Sequence, residues 1–236
     1  MLLTRLTNDS ADYTAAREEL RLAEIELMRQ RERVAALRRD LPAGAVVQDY
    51  VLQEGPASLD DGDAPARSVR LSELFTGSDR PLVVYHLMYG KLQTTPCPMC
   101  TTWIDGYNGI ARHVEQNVDF VIAAAADLPQ LRAHARARGW HNLRLLSCGD
   151  STFKYDLGSE DAQGEQDSTI SVFTRDADGT VHHVYSAHPR MADDIDERGI
   201  DLLCPLWHIM DLTPAGRGDW YPDLTYPEPS LERVRS

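Results

Sequence analysis

Short apolar runs along the chain alternate with segments whose apolar residues recur at helical spacing. The segments Trp103–Val114 and Leu128–Arg138 place most of their apolar residues on one side, which predicts two amphipathic helices. Short apolar segments stand before, between and after these helices and predict strands at residues 82–88, 118–123 and 143–147, of which the first is rich in β-branched and aromatic residues. A strand, a helix and a strand in this order form a βαβ unit, so the pattern predicts an α/β fold.

The second half of the pattern predicts a hairpin. Two apolar runs, residues 170–173 and 181–185, flank the turn segment 176–179. Two βα steps followed by a hairpin describe a thioredoxin-type sheet flanked by helices, with an additional first strand at residues 46–52. Further on, a short helix is predicted at Ile200–Ile209, before an irregular tail rich in Pro and Gly. We divide the chain into an N-terminal helical arm, a thioredoxin-like domain and a C-terminal extension packed on the core: residues 1–45, 46–187 and 188–236.

A long helical pattern occupies residues 12–41. Within it, Leu20, Leu27, Val34 and Leu41 recur every seven residues, and Arg and Glu fill most of the other positions. Two interpretations of this apolar seam remain open. In the first interpretation, the seam packs on the domain of its own chain; in the second, it joins two copies of the chain in a homodimer.

Charge and composition limit the partners of this chain. Its 236 residues carry 24 Lys and Arg against 37 Asp and Glu, a formal net charge of −13, which argues against nucleic acid or an anionic membrane as the main partner. No apolar run approaches the roughly 20 residues of a membrane span, and no signal-peptide core follows Met1. We therefore expect a cytoplasmic protein. In a reducing compartment, a closely spaced pair among the four cysteines is expected to be catalytic or metal-binding.

Two of the cysteines stand three residues apart, where the first strand of the βαβ unit leads into its helix. In the sequence Cys97-Pro98-Met99-Cys100, Pro98 suits the first helical position, because its missing N–H and fixed φ cost nothing there. Cys97 would then be the N-cap, where unpaired backbone N–H groups and the helix dipole favour a thiolate. Cys100, one turn further on, is placed to attack an adduct formed on Cys97. The motif predicts a dithiol redox centre that needs no cofactor.

A metal site is the alternative to the redox centre. Cys204 and His208 lie four residues apart, one helical turn, and together with Cys97 and Cys100 they make a complete ligand set for zinc or copper. Closed tetrahedral coordination of a metal would prevent the two thiolates from taking part in redox chemistry, so the two interpretations exclude each other in any one state. Because no sequence feature brings residues 204–208 to Cys97, we favour the dithiol and predict no bound metal. A non-catalytic binding module on a thioredoxin scaffold is the third alternative.

Segments spread over nearly the whole chain resemble the thioredoxin-like bacterial family catalogued as domain of unknown function 899. They are Tyr85–Gly90, Cys97–Cys100 with Trp103, Arg138–Trp140, Ser171–Asp176 and Leu212–Arg217. The resemblance implies a thioredoxin-like, peroxiredoxin-type α/β fold and a dithiol-disulfide isomerase-like activity. Two positions depart from the patterns of better known thioredoxin-fold proteins. Gly90 stands where peroxiredoxins carry a Pro, and no Pro precedes Ile170 as one does in thioredoxins.

Together these features predict a thiol-disulfide oxidoreductase or peroxiredoxin-like reductase. Cys97 attacks a disulfide or peroxide substrate, Cys100 resolves the adduct, and a thiol reductant resets the pair. His86, near the end of the preceding strand, is the candidate proton acceptor, with a purely structural role as its alternative. Residues that flank the dithiol in the sequence are expected to bind the substrate: Tyr89, Thr95, Pro96 and Trp103.

Overall fold

The computed structural model describes residues 6–195 and 198–226. Its internal contacts divide the chain into two units, Met1–Pro42 and Ala43–Ser236. The dithiol and all the candidate site residues belong to the second unit.

The first unit contains one long helix, α1 (Ala11–Arg39), which agrees with the predicted N-terminal helix. Ser10 is its N-cap, and the Ser10 hydroxyl oxygen accepts the backbone N–H of Tyr13 at 3.1 Å. No residue of α1 is buried, and Leu20 and Leu27 of the predicted seam are each about half exposed. Helix α1 therefore presents apolar side chains at its surface.

The second unit is organised around a mixed sheet. Among the residues described, its strands are β1 (Val51–Glu54), β2 (Arg67–Arg70), β3 (Leu82–Leu87), β4 (Asp119–Ala124), β5 (Arg144–Ser147), β6 (Thr169–Arg175) and β7 (Val181–Ala187). Their order in the sheet is β2-β1-β5-β4-β3-β6-β7. Strands β3, β4 and β5 are parallel to one another, and every other neighbouring pair is antiparallel. The strand that leads into the dithiol, β3, therefore has a neighbour on both sides.

The first strand differs from its prediction at residues 46–52. Strand β1 begins only at Val51, because Val46 forms an isolated bridge with His182 of β7 and takes no part in the β1 ladder. The predicted hairpin is confirmed, since β6 and β7 pair antiparallel on either side of the turn at residues 176–179.

Four helices accompany the sheet in the described part of the second unit: α2 (Pro98–Val114), α3 (Leu128–Arg138), α4 (Phe153–Asp156) and α5 (Pro205–Asp211). Helix α3 ends at Gly139, whose φ of 71° is left-handed and favours glycine. The helix predicted at Ile200–Ile209 is split into a 3₁₀ turn, Asp201–Leu203, and α5, because Pro205 has no N–H to continue the turn and begins a new helix instead. No described helix combines the length and the apolar character that crossing a membrane requires.

Alternate residues of the central strands pack into two separate cores. On one face of the sheet, Tyr85 and Leu87 of β3 pack with residues of α2 and α3. On the other face, Val84 packs with Phe153 of α4. This is the two-residue period expected of a strand. We call the first face the dithiol face, because both cysteines of the dithiol belong to its core.

Residues of the C-terminal extension also pack on the dithiol face. Cys204 is buried in the same core. Arg217 holds the 3₁₀ turn through an ion pair of 2.6 Å between its Nη1 and Asp201. Further along, Arg138 at the end of α3 donates a hydrogen bond of 3.0 Å to the carbonyl of Leu224. The burial of Cys204 and the hydrogen bond from Arg138 hold the extension against the core that contains the dithiol, whereas the ion pair of Arg217 with Asp201 lies within the extension.

Candidate dithiol site

Cys97 is the N-cap of α2, the position predicted for it. The helix begins at Pro98, and the Cys97 sulfur accepts the backbone N–H of Cys100 at 3.4 Å. The N–H of Cys97 donates to the carbonyl of Met88 at 3.0 Å, which ties the dithiol to the end of β3. All four cysteines are free thiols in the structure. The dithiol thus lies at the amino end of a helix.

A tight loop joins β3 to the dithiol, and its backbone conformation requires glycine at position 90. Gly90 has a φ of 97°, and a Cβ placed on it would lie only 2.0 Å from the backbone nitrogen of Ala126. Proline has a fixed negative φ, so it cannot stand here as it does in the peroxiredoxin pattern. Gly90 and Gln93 close the loop with two backbone hydrogen bonds of 2.7 and 3.0 Å.

The two thiols of the dithiol have different electrostatic environments. A hydrogen bond from the Cys100 thiol is the main cause that lowers the pKa of Cys97 from 9.0 to about 6. Backbone N–H groups of α2 and the Tyr221 hydroxyl act in the same direction, while burial opposes them. Burial raises the pKa of Cys100 well above its ordinary value, and its hydrogen bond to Cys97 raises it further. Cys97 is therefore the thiol that ionises first, and Cys100 is held protonated as the donor.

Aromatic side chains surround Cys100 on the dithiol face. Tyr85 of β3 stacks with Trp103 at 6.5 Å between ring centroids and meets Tyr107 edge to face at 5.3 Å. The Tyr85 hydroxyl donates a hydrogen bond to Cys100, and burial raises the pKa of Tyr85 well above its usual value. Tyr85 was not among the predicted site residues. Strand alternation was the available signal, because Tyr85 lies two residues before Leu87 and shares its face.

His86, the predicted proton acceptor, lies on the opposite face of the sheet. Its Nε2 is 3.1 Å from the hydroxyl oxygen of Ser171, and its ring stacks on Phe153 at 5.3 Å between centroids. Burial is the main cause that lowers the pKa of His86 well below its ordinary value, so the ring is neutral. Successive residues of a strand point to opposite faces, so His86 cannot share the dithiol face with Tyr85. The geometry favours the structural alternative for this residue.

A buried lysine from α4 lies within electrostatic range of Cys100. Lys154 is only 2% exposed, and its Nζ donates to the carbonyl of Leu87, the last residue of β3, at 3.2 Å. Burial lowers the pKa of Lys154, while the Cys148 and Cys100 thiols act to raise it. A buried ammonium group is costly unless something nearby compensates its charge, so this position is a candidate for function. The local sequence contains no feature that distinguishes Lys154 from a surface lysine.

The C-terminal extension and the start of α2 line a cavity of about 830 Å³ that is partly open to solvent. Cys97 lines it and is 7% exposed. Trp207 of α5 meets Trp220 edge to face at 5.8 Å between ring centroids, and both rings line the cavity. The Arg217 guanidinium lies 4.9 Å from the centre of the Trp207 ring. The extension thus supplies part of the wall around the Cys97 sulfur.

The predicted substrate-binding residues do not all line this cavity. Trp103 lines the cavity, whereas Tyr89, Thr95 and Pro96 lie outside its wall. Tyr89 meets the His134 ring edge to face at 6.1 Å. Thr95 is exposed, and its carbonyl accepts a hydrogen bond from the side chain of Gln93. For Tyr89, Thr95 and Pro96, substrate contact stays a prediction.

The alternative metal site is not assembled in the structure. Cys204 shares a core with the dithiol, yet among residues 6–195 and 198–226 no three His, Cys, Asp or Glu side chains gather in a way that could hold a metal ion. Burial raises the pKa of Cys204, which disfavours the thiolate that a metal requires. Cys148 is also buried, and burial raises its pKa to about 11. Neither of these thiols resembles Cys97 electrostatically.

The sheet order and the Cys-x-x-Cys motif at the start of α2 define a thioredoxin-like α/β protein with a peroxiredoxin-type sheet. The sequence matches the family of bacterial proteins of unknown function DUF899 over residues 3–228. The chain therefore belongs to this family.

Peroxiredoxins are among the solved structures of similar fold. The antioxidant protein of Plasmodium falciparum, a 1-Cys peroxiredoxin, has a TM-score of 0.50 and 14% sequence identity, over 72% of this chain and 99% of its own. Peroxidoxin BcpB from Mycobacterium tuberculosis has a TM-score of 0.45 and 19% identity, over 67% of this chain and 90% of its own. At these identities the likeness concerns the fold alone. No curated protein matches the sequence.

Proposed function

We propose that this protein is a two-cysteine thiol oxidoreductase in which Cys97 attacks and Cys100 resolves. The contrast between the two thiols carries the proposal. Cys97 is the N-cap of α2 and has a pKa lowered to about 6, whereas Cys100 is buried and its pKa is raised. A thiol whose pKa is near or below the ambient pH is largely thiolate, which is the form that attacks S–S and O–O bonds.

The reaction has two displacement steps. The Cys97 thiolate attacks one atom of an S–S or O–O bond, which breaks, and one fragment leaves as an anion that takes up a proton. Cys100 then loses its proton and attacks the Cys97 sulfur, which displaces the second fragment and forms the Cys97–Cys100 disulfide. Two electrons pass from the dithiol to the substrate. An external thiol reductant returns them by thiol–disulfide exchange.

The proposed chemistry also suggests a compartment. A thiol reductant must return the Cys97–Cys100 disulfide to the dithiol, and such reductants are abundant in the cytoplasm. We therefore propose a cytoplasmic location.

Single Cys variants test the two roles separately. Cys97→Ser should abolish thiol-dependent reduction of peroxides and disulfides, because it removes the attacking sulfur. Cys100→Ser should accumulate an adduct on Cys97, detectable by its added mass, because the resolving thiol is absent. Cys148→Ser is the matched control and should keep the rates of the unmodified protein, since Cys148 is buried and its pKa is raised to about 11.

Two results would contradict the proposal. Full activity in Cys97→Ser would remove this residue from the chemistry. Failure of every oxidant to form the Cys97–Cys100 disulfide in the full-length protein would favour the binding-module alternative instead.

A further inference from the structure

The C-terminal extension places the attacking sulfur inside a cavity rather than on an open surface. We propose that this cavity selects small organic substrates with an apolar body, which carry the S–S or O–O bond that Cys97 attacks, and that it excludes the disulfides of folded proteins. This inference rests on the proposed function and adds the class of substrate to it.

The size of the cavity is the first argument. Its volume of about 830 Å³ lies within the roughly 300–1,000 Å³ of pockets that hold organic ligands. A water-sized molecule occupies only about 30 Å³, so hydrogen peroxide would leave most of the cavity unfilled. Cys97 is 7% exposed, and the extension that covers it is tied to the core by the hydrogen bond from Arg138 to the carbonyl of Leu224. A disulfide on the surface of a folded protein cannot reach this sulfur unless the extension moves.

The lining of the cavity is the second argument. Met88 and Met99 lie on the dithiol side, and Trp103, Trp207 and Trp220 add three aromatic rings. Burial of apolar surface against such walls is favourable, and thioethers and indole rings adapt to ligands of varied shape. The cavity therefore favours a substrate with an apolar body over a small polar one.

Two kinds of substrate combine an apolar body with a bond that Cys97 can attack. An organic hydroperoxide carries an O–O bond, and a small organic disulfide carries an S–S bond. Both are of the size that a cavity of about 830 Å³ accepts.

The chemistry balances for both kinds of substrate. With a hydroperoxide, the O–O bond breaks, the alcohol leaves, and Cys97 keeps the second oxygen as a sulfenic acid, which Cys100 displaces as water. With a small disulfide, one thiol leaves when Cys97 attacks and the other leaves when Cys100 attacks. In each case the substrate gains two electrons and two protons, and the dithiol becomes a disulfide.

Rate constants for oxidation of the reduced full-length protein test the inference. Cumene hydroperoxide is compared with hydrogen peroxide, and dipyridyl disulfide with the disulfides of insulin. Each rate constant is divided by that of free dithiothreitol at the same pH, which removes the intrinsic reactivity of the oxidant. We expect the normalised rate constant of the apolar small molecule to be about tenfold or more above that of its counterpart in at least one pair. The pair that shows it identifies the bond attacked.

Trp220→Ala is the discriminating variant. Trp220 is about half exposed, so its removal opens the cavity without taking a ring from the core. It should lower the rate constant for the apolar oxidant by about tenfold and leave that for hydrogen peroxide unchanged. Leu212→Ala is the control, because Leu212 lies in the same extension, is 83% exposed and does not line the cavity. Met191→Ala, at another exposed residue of the cavity wall, provides a second and independent variant.

The possible failures are distinguishable. Equal normalised rate constants within both pairs, or an unchanged preference in both cavity variants, would overturn the inference and leave the proposed function intact. Reduction of insulin as fast as the small disulfide would overturn the exclusion of proteins. Failure of all four oxidants to produce the Cys97–Cys100 disulfide would remove the proposed function and the inference together.

Discussion

The hydrogen-bond donor at residue 100 tests how the Cys97 thiolate is stabilised. The Cys100 thiol is the largest of the causes that lower the pKa of Cys97 to about 6, ahead of the backbone N–H groups of Cys100 and Met99. Cys100→Ser keeps a side-chain donor at this position, whereas Cys100→Ala removes it and leaves the backbone donors in place. We therefore expect the pKa of Cys97 to be higher in Cys100→Ala than in Cys100→Ser.

The size of the difference follows from the strength of one hydrogen bond to a charged group. Such a bond contributes about 1.5–3 kcal/mol, and one pKa unit corresponds to about 1.4 kcal/mol, so loss of the donor should raise the pKa of Cys97 by about one to two units. At pH 7, a thiol with a pKa of about 6 is roughly nine-tenths thiolate. After a rise of one to two units, the thiolate fraction falls to roughly a half or a tenth.

Alkylation as a function of pH measures this pKa directly. The rate of iodoacetamide reaction at Cys97 is followed by mass spectrometry in both variants, with the buried Cys148 as an internal reference for nonspecific labelling. The rate should rise through a sigmoid whose midpoint lies at higher pH in Cys100→Ala. Equal midpoints in the two variants would refute the assignment of Cys100 as the donor.

Stability provides a second readout with a fixed sign. The folded pKa of Cys97 lies below its unfolded value of 9.0, so the stabilisation from its thiolate is fully present above about pH 9 and is lost as the pH falls through about 6. Reduced Cys100→Ser should therefore lose free energy of unfolding over this range relative to the Cys97→Ser/Cys100→Ser double variant. Urea unfolding at several pH values makes the comparison. A pH-independent difference between the two proteins would contradict the lowered pKa.

Oxidation should link Cys97 to Cys100 and leave both other cysteines reduced, because both are buried and their pKa values are raised; a different main disulfide in peptide maps would rule out the two-cysteine centre. Lys154→Met should slow resolution of an adduct on Cys97 more than it slows alkylation of that thiol, because the buried ammonium favours the Cys100 thiolate; stopped-flow rates that change equally would contradict this role. Deletion of residues 1–41 should leave the α/β unit folded and change the association state in sedimentation, because α1 has exposed leucines, each contributing about 1.5–3 kcal/mol on full burial. A monomeric full-length protein would exclude the dimer interpretation.

The parts of the fold that local chemistry determines were predictable from the sequence. Pro98 can begin a helix but cannot continue one, so the start of α2 and the N-cap position of Cys97 follow from three adjacent residues. The apolar runs of β3, β4 and β5 are buried on both faces, which is the pattern of parallel strands with helices on both sides. The hairpin at residues 176–179 likewise depends on neighbouring residues only.

The prediction for His86 shows what the local sequence does not determine. Strand β3 is apolar on both faces, so its pattern does not say which alternate residues meet the dithiol. The helix that carries Cys100 packs over one face, which selects Tyr85 and turns His86 toward Phe153. Which residues of β3 meet the dithiol depends on which face of the sheet α2 covers, and the apolar pattern of the strand alone gives no information about that packing.

The cavity depends on contacts still farther apart in the chain. Trp207 and Trp220 follow Cys97 by more than a hundred residues, and their local sequences contain no feature that directs them to the dithiol face. Their position is set by tertiary contacts such as the ion pair between Arg217 and Asp201 and the hydrogen bond from Arg138 to the extension. The reactive motif is thus local, whereas the walls that would choose its substrate are assembled from distant segments. Substitutions of extension residues that line the cavity should therefore change which oxidant reacts while the pKa of Cys97 changes little, except at Tyr221, whose hydroxyl hydrogen-bonds the sulfur.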